Sequence, residues 1–291
     1  NNTSYKYGKI REISKMRYDV YGIGNALVDK EFEITDSFLK DFTIEKGIMT
    51  LVDHEQQESL LTELTNRYGI KTRTGGGSAA NTAVGLASFG SKAAFIGKVR
   101  NDELGKKFSS NIIEAGVQFT TAPSEDGPRT ASSIILVTPD AERSMNTYLG
   151  ACVELDPDDI DENIIKNSQV TYLEGYLYDP PRAKEAFVKA AKIAKNSNNK
   201  VSMSLSDSFC VERYRSDFLS FIKNHVDILF ANEDEALAFT QHDIFDAEGS
   251  AEILGDFCDT VVIKLGAKGS LIYNGSKSIH TEAQAIDQLV D

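Results

Sequence analysis

Short apolar runs alternate with helical patterns along most of this chain. We predict strands at 18–23, 93–99, 170–173, 201–205, 228–231 and 260–265. Stretches of helical length separate these runs, and the periodicity is clearest at 102–115 and 182–195. The repeated alternation predicts an α/β fold with a mostly parallel sheet and helices on both of its faces. In such sheets, ligands bind beyond the carboxyl ends of the strands.

Two segments, about 30–52 and 120–149, interrupt this alternation with strand-like patterns. Within the second segment, an apolar run at 131–137 and a polar turn predict a β-hairpin that ends near residue 148. We interpret both segments as one small sheet, a β lid over the ligand-binding end of the main sheet. An edge extension of the main sheet is the alternative. Residues 1–17 are polar and mixed in charge, which predicts a flexible arm before a folded domain at 18–291.

Composition narrows the possible functions. The 291 residues include 31 Lys and Arg against 44 Asp and Glu, a net charge of -13, which argues against nucleic acid as the main partner. The three cysteines are scattered, without the spacing of a disulfide framework or a metal site, and favour a cytoplasmic location. We expect no membrane span, because the chain has no apolar run of sufficient length.

A glycine-rich turn that enters a helix is the strongest single signal. Residues 75–83 read Gly-Gly-Gly-Ser-Ala-Ala-Asn-Thr-Ala. Gly76 and Gly77 allow the backbone to approach a ligand closely, and the helix start offers unpaired N–H groups. Asn81, one turn into the helix, is able to hydrogen-bond a hydroxylated small molecule. A flexible turn with Ser78 as the helix N-cap is the alternative.

The end of the first strand carries a second candidate site. Gly22 and Gly24 are similar to the start of a dinucleotide-binding motif, but Leu27 stands where the third glycine belongs. Asn25 and Asp29 fit a different chemistry, because a carboxylate accepts hydrogen bonds from two sugar hydroxyls at once. A solvated loop aspartate is the alternative for Asp29.

Three further segments are candidates for phosphate chemistry. Arg143 lies on the predicted hairpin, where its guanidinium is able to neutralise a transferring phosphoryl group, although an isolated surface arginine is common. Asn232 and Glu235 follow an apolar strand and fit either a helix capping box or hydrated Mg²⁺ beside a nucleotide phosphate. Gly266 and Gly269 permit close approach of a flat ligand or phosphates, and a plain β-hairpin explains them equally well.

Taken together, these segments resemble the ribokinase/PfkB family of carbohydrate and nucleoside kinases. The similar segments follow the family's order and are 22–29, 76–83, 97–105, 232–235 and 262–269. Two positions depart from the pattern: Arg100 stands where a glycine is frequent, and Lys264 stands where Thr or Ser is usual. Residues 142–151 are most similar to the adenosine-kinase-like branch.

The resemblance implies a ribokinase-like three-layer sandwich that transfers phosphate from ATP, with Mg²⁺, to the hydroxymethyl group of a nucleoside or sugar. It implies substrate-binding roles for Asn25, Asp29, Gly76, Gly77, Ser78 and Asn81, nucleotide-binding roles for Asn232, Lys264, Gly266 and Gly269, a water-mediated Mg²⁺ contact for Glu235, and charge neutralisation by Arg143. A ribokinase- or fructokinase-type enzyme and a non-catalytic binding protein are the alternatives. We expect a monomer or a lid-mediated homodimer.

Two details remain as expectations. Residues 289–291 are similar to the beginning of the family's second signature, whose catalytic aspartate would then lie beyond Asp291. For a nucleoside, we expect the base to stack on an apolar wall made of Phe32, Phe38, Phe42 and Ile134; the core of the lid is the alternative location for these side chains.

Overall fold

The structure of the chain is a computed structural model that describes residues 18–178 and 180–285. The expected arm at 1–17 and the signature-like residues 289–291 lie outside the described residues. None of the helices in the described part of the chain is both long and apolar enough to cross a membrane.

The strands and helices are numbered in chain order. The strands are β1 (Tyr18–Ile23), β2 (Leu27–Glu33), β3 (Met49–Leu51), β4 (Thr72–Gly76), β5 (Ala93–Ile96), β6 (Gln118–Phe119), β7 (Ala131–Val137), β8 (Arg143–Tyr148), β9 (Ser168–Glu174), β10 (Lys200–Ser204), β11 (Ile228–Asn232), β12 (Thr260–Lys264), β13 (Ser270–Tyr273) and β14 (Ser278–Thr281). The helices are α1 (Asp36–Asp41), α2 (His54–Arg67), α3 (Ser78–Ser88), α4 (Glu103–Glu114), α5 (Glu162–Lys166), α6 (Pro181–Asn196), α7 (Ser208–His225), α8 (Glu233–Thr240) and α9 (Ala247–Gly255).

The larger sheet has nine strands in the order β14-β13-β12-β11-β10-β9-β1-β5-β6. Every pair from β12 to β6 is parallel, and β13 and β14 extend the sheet as antiparallel strands. The six strands predicted from apolar runs are all present here, with small shifts at their ends. The carboxyl ends of β1, β9, β10, β11 and β12 therefore meet at one edge of the sheet.

Side chains of the large sheet pack against helices on both faces. In β5, Ala94 and Ile96 belong to the core cluster that includes α6 and α7, whereas Ala93 and Phe95 pack with α3 and α4. Because successive strand residues face opposite sides, this alternation requires an apolar layer on each face. The expected α/β fold with a large helix-flanked sheet is confirmed.

The smaller sheet has five strands in the order β3-β8-β7-β2-β4 and is separate from the larger one. Both interrupting segments contribute strands to it, and the predicted hairpin is present as β7 and β8. Its bounds differ from the prediction: β2 begins at Leu27, and β4 at Thr72–Gly76 is an additional member. The segment 30–52 also contains a short helix, α1. A lid function for this sheet stays a prediction.

Candidate active site

A cavity of about 360 Å³ lies between the carboxyl edge of the large sheet and one face of the small sheet. Six of the predicted site residues line it: Asn25, Asp29, Gly77, Ser78, Asn81 and Arg143. The structure thus brings together residues that are up to 118 positions apart in the sequence, counted from Asn25 to Arg143. We call this space the front cavity.

Strand alternation decides which side chains of the small sheet reach the front cavity. The side chains that reach it are those of Leu27 and Asp29 on β2, Ser133 and Ile135 on β7, and Arg143, Met145 and Thr147 on β8. The intervening residues face the opposite side, where α1 and α2 pack. The small sheet therefore has a ligand-facing side and a core-facing side.

The prediction that Phe32, Phe38, Phe42 and Ile134 form a wall for the base of a nucleoside is wrong. Phe32, Phe38 and Ile134 are buried in a cluster with α1 and α2, and Phe42 packs against that cluster. These side chains form the hydrophobic core behind the small sheet. Phe32 and Ile134 belong to it because the even-numbered positions of β2 and β7 face away from the front cavity, and Phe38 lies on α1, which packs on that side. Ile135, the neighbour of Ile134, faces the cavity instead.

Other apolar side chains line the front cavity. Met49 and Leu51 come from β3, Met145 comes from β8, and Phe209 and Tyr214 come from the first two turns of α7. Thioether and aromatic groups are adaptable, polarisable surfaces for a flat ring. The cavity therefore has a polar end near Asp29 and an apolar wall that sequence reasoning did not find.

Asp29 lies on β2, not in the loop after the first strand. It is half-buried, in register with Thr74 on β4 and Ser133 on β7. Its carboxylate lies against Gly76, where a Cβ atom would be 2.3 Å from Asp29 Oδ2. Gly77 has a φ of +105°, and a Cβ there would be 2.1 Å from the Asn25 carbonyl oxygen. Glycine is thus required at Gly77 by backbone packing and by its positive φ, whereas a Cβ at Gly76 would displace the Asp29 carboxylate.

Helix α3 begins directly after these glycines. Its N-cap is Gly77, so the alternative interpretation of Ser78 as N-cap is wrong; Ser78 is the first helical residue. Ser78 and Asn81 are exposed and border the front cavity. The Ala79 amide of the first turn donates to a buried carboxylate, that of Glu174. The other N–H groups at this helix start, together with the positive end of the helix dipole, favour contact with hydroxyl oxygens.

Glu174, at the carboxyl end of β9, is a site residue that the motif search missed. It is buried and borders the front cavity. Its carboxylate accepts hydrogen bonds from Asn25 Nδ2 at 2.8 Å and from the Ala79 amide at 2.9 Å. Burial raises its pKa above the ordinary value, and these hydrogen bonds act in the opposite direction. An acidic residue that ends an apolar strand at the ligand-binding edge is the signal that would have found it.

The Glu174 carboxylate gives Asn25 a defined structural role. Asn25 is 3% exposed, and its side-chain amide and backbone N–H both donate to Glu174. Glu174 therefore ties the loop after β1 to the first turn of α3. A substrate contact by Asn25 stays a prediction.

The predicted nucleotide-side residues lie on the same edge of the sheet but do not line the front cavity. Asn232 and Glu235 form the capping box of α8, with Glu235 N donating to Asn232 Oδ1 at 2.7 Å. The capping role expected as the structural alternative is thus confirmed. Burial raises the pKa of Glu235, whereas the nearby Lys264 lowers it. Lys264 is exposed and in register with Asn232 across β11 and β12.

The turn after β12 is a short helical turn that leads into β13. At Gly269, a Cβ atom would be 1.8 Å from the Thr281 carbonyl oxygen, so packing of the hairpin accounts for this glycine. Gly266 is exposed and faces open space. Close approach of a ligand to the turn stays a prediction.

Asp207 connects the two parts of the site. Its side chain caps α7 and accepts a hydrogen bond from the Tyr176 hydroxyl at 3.1 Å, and Tyr176 lines the front cavity. Its charge also raises the pKa of Glu235. The capping box at Asn232 and Glu235 is therefore adjacent to the front cavity along the sheet edge.

The part of the chain that the structure describes holds no group of three or more His, Cys, Asp and Glu residues suited to a metal ion. Glu235 is 2% exposed, and one of its oxygens accepts the Asn232 N–H at 3.0 Å. A water-mediated contact of Glu235 with Mg²⁺ stays a prediction.

Two guanidinium groups border the front cavity. Arg143 is exposed at the start of β8. Arg213, which sequence reasoning missed, lies on α7 with its guanidinium carbon 5.4 Å from the centre of the Phe209 ring. The cavity thus carries two guanidinium groups as well as the carboxylates of Asp29 and Glu174, and the guanidinium groups are its candidates for contact with an anionic group.

Comparison with known proteins shows which family and which solved structures the chain is similar to. The family model described as pfkB family carbohydrate kinase matches residues 48–291. The crystal structure of adenosine kinase from Sinorhizobium meliloti is 46% identical, with a TM-score of 0.88, and the match covers 94% of this chain and 83% of that one. A probable sugar kinase protein from Rhizobium etli CFN 42 is 44% identical, with a TM-score of 0.89 over 95% of this chain and 82% of that one.

A curated relative is more distant. The 5-dehydro-2-deoxygluconokinase of Bacillus subtilis (strain 168) is 29% identical over 217 residues, which is 70% of this chain. The match spans 65% of that protein's length.

Proposed function

Because the chain belongs to the pfkB family of carbohydrate kinases, we propose that it transfers the γ-phosphoryl group of ATP to the hydroxymethyl group of a nucleoside such as adenosine. One observation carries this proposal. Asp29, the start of α3 and Arg143 converge on one cavity at the carboxyl edge of a parallel sheet. Sheets of this type bind their ligands at that edge.

In the proposed complex, the sugar lies at the polar end of the front cavity. The Asp29 carboxylate accepts hydrogen bonds from two neighbouring hydroxyls, and the Asn81 side chain with the N–H groups at the start of α3 completes the polar contacts. The absence of a side chain at Gly76 leaves room for this carboxylate. Glu174 and Asn25 act as positioning residues, since their hydrogen bonds fix the loop after β1 against α3.

The apolar wall supports a nucleoside as the substrate. Met49, Leu51 and Met145 together with Phe209 offer a surface for a flat base. Stacking of a base on an aromatic side chain contributes about 1–3 kcal/mol, which a free sugar does not gain. The 46% identity to an adenosine kinase points in the same direction.

The nucleotide lies, in this proposal, beside Asn232, Lys264 and the turn from Gly266 to Gly269. Glu235 would hold Mg²⁺ through water, and the ion would supply neutralising charge to the phosphate oxygens. Arg143 neutralises charge that develops on the group in transfer, since phosphoryl transfer depends chiefly on positioning and electrostatics. A catalytic aspartate beyond Asp291 stays an expectation from the family resemblance.

A free sugar is the second candidate substrate. Two relatives are named as kinases of sugars or sugar derivatives, one from Rhizobium etli and one from Bacillus subtilis. Recognition of two hydroxyls by Asp29 requires no base, so the polar end of the front cavity would serve a sugar equally well.

The test is ADP formation by the complete gene product with Mg²⁺–ATP, in the presence and absence of adenosine. We expect adenosine-dependent ADP release. We expect Arg143→Gln to lower kcat at least about tenfold with little change in adenosine affinity. The control is Arg67→Gln, which should behave as wild type, because Arg67 lies on α2, pairs with Glu63 and does not line the front cavity. Absence of ADP release with any nucleoside or sugar would favour a binding protein without turnover. An unchanged kcat in Arg143→Gln would remove Arg143 from the mechanism.

A further inference from the structure

An apolar groove of about 250 Å³ opens beside the front cavity, at the ends of β3 and β8. We call it the outer groove. Three residues line both spaces, namely Leu51, Thr147 and Leu149. The rest of the outer groove is made of residues that do not line the front cavity: Val52, Pro128, Tyr148, Gly150 and Val153. The two spaces therefore meet along the three shared residues.

A cross-strand row of the small sheet leads from the polar end of the front cavity to the outer groove. Asp29 on β2 is in register with Ser133 on β7. Ser133 pairs in turn with Thr147 on β8, and Thr147 pairs with Leu51 on β3. All four residues line the front cavity. Since neighbouring strands lie about 4.8 Å apart, the row spans about 14 Å from Asp29 to Leu51.

The polarity of this row falls from one end to the other. It begins with the carboxylate of Asp29 and ends with the apolar side chain of Leu51. In the middle, the hydroxyls of Ser133 and Thr147 bond each other at 2.8 Å, so they place little demand on a ligand for polar groups. A ligand that lies along the row is therefore expected to be polar at Asp29 and apolar near Leu51.

In the proposed nucleoside complex, the row fixes the direction of the ligand. The sugar lies at Asp29, so the base extends over Ser133 and Thr147. The edge of the base that is remote from the sugar then faces Leu51, and in a purine this edge carries the exocyclic group on C6. Leu51 is 41% exposed, so the remote edge of the base is not closed off by a buried side chain.

We propose that the outer groove is a subsite for an apolar substituent on the exocyclic amino group of a purine nucleoside. This inference rests on the proposed function, because it requires a nucleoside in the front cavity with its sugar at Asp29. Val153 is exposed, and Val52 and Pro128 are half-buried, so the substituent would cover apolar surface that water now contacts. Burial of apolar surface stabilises a complex in proportion to the area removed from water.

Calorimetric titration of the complete gene product with adenosine and with N6-benzyladenosine tests this subsite. We expect N6-benzyladenosine to bind the wild type at least about tenfold more tightly than adenosine. Val153→Asp places a carboxylate in the outer groove and should weaken binding of N6-benzyladenosine at least about fivefold. The adenosine affinity, which also reports that the variant is folded, should not change, because Val153 does not line the front cavity. The matched control is Ile113→Asp, since Ile113 is a 54% exposed residue of α4 that lines neither space.

The outcomes separate this inference from the proposed function. Binding of N6-benzyladenosine that is equal to or weaker than that of adenosine would overturn the subsite and leave the proposed function intact. Absence of binding by both nucleosides would overturn the nucleoside substrate and the subsite with it. An unchanged ratio of the two affinities in Val153→Asp would place the benzyl group elsewhere and also overturn the subsite. Sedimentation tests a competing occupant: a change of oligomeric state in Val153→Asp but not in Ile113→Asp would assign the outer groove to a second copy of the chain and contradict the proposal.

Discussion

Removal of the Asp29 charge is the sharpest single change to the proposed substrate site. Asp29→Asn keeps the size of the side chain in its packed position against Gly76. It replaces a carboxylate that accepts two charge-assisted hydrogen bonds by an amide with one acceptor oxygen. Each charge-assisted bond contributes about 1.5–3 kcal/mol, and the amide oxygen keeps one neutral bond of about 1 kcal/mol. The loss is therefore about 2 kcal/mol or more, roughly thirtyfold in adenosine affinity.

The assay is calorimetric titration of the complete gene product with adenosine, and separately with a non-hydrolysable ATP analogue. We expect a weaker adenosine affinity and an almost unchanged nucleotide affinity, since Asp29 lies on the small sheet away from Asn232. Glu31→Gln is the matched control: Glu31 lies two residues further along the same strand, pairs with Lys71 at 3.2 Å and does not line the front cavity. An adenosine affinity that is the same in Asp29→Asn as in this control would refute the assigned role.

Three other changes test the packing and the charges around the site. Glu174→Ala should lower the free energy of unfolding by about 3 kcal/mol in thermal or urea denaturation, because it leaves buried N–H donors without their acceptor; an unchanged midpoint would argue against this network. Phe32→Ala, on the core-facing side of the small sheet, should lower the free energy of unfolding by about 3–5 kcal/mol. Met145→Ala, on the ligand-facing side, should chiefly weaken adenosine binding, by about tenfold. The reverse pattern would mean that the two faces of the small sheet are wrongly assigned. Burial raises the pKa of Asp227, but hydrogen bonds from two lysines and a backbone amide lower it below its ordinary value. The stabilising contribution of the Asp227 carboxylate is therefore complete above the unfolded-state pKa and is lost as the pH falls through the lower native pKa. Asp227→Asn should reduce the free energy of unfolding by about 2 kcal/mol at neutral pH and by progressively less below about pH 4. A stability difference that persists unchanged to pH 2 would contradict this.

The large sheet could be predicted from the sequence because its central strands are buried on both faces. Such a strand reads as an uninterrupted apolar run, as β5 does with Ala-Ala-Phe-Ile, which is buried at every position. The small sheet was harder to predict. Its strand β4 reads Thr-Arg-Thr-Gly-Gly, without an apolar side chain, and β3 has only three residues. These strands exist because β2 and β8 supply hydrogen-bond partners, which no local pattern shows.

The candidate site was predicted best where it depends on short segments. Gly76, Gly77 and Asn81 lie on one turn and helix, so their proximity follows from local geometry. Glu174 was missed because its partner Asn25 is 149 residues away. The residues of the apolar wall could not be predicted for a similar reason. The sequence predicts the strand that contains Ile134, but only the pairing of that strand in the small sheet shows which of its side chains face the front cavity.

The most direct test of the account is a competition assay with the complete gene product and Mg²⁺–ATP, in which kcat/KM is compared for adenosine, ribose and fructose. The apolar wall of Met49, Leu51, Met145 and Phe209 predicts a preference for adenosine of at least about tenfold, the equivalent of about 1.4 kcal/mol of additional binding in the transition state. A preference of that size for either free sugar would contradict the nucleoside assignment and leave a sugar kinase of the same family.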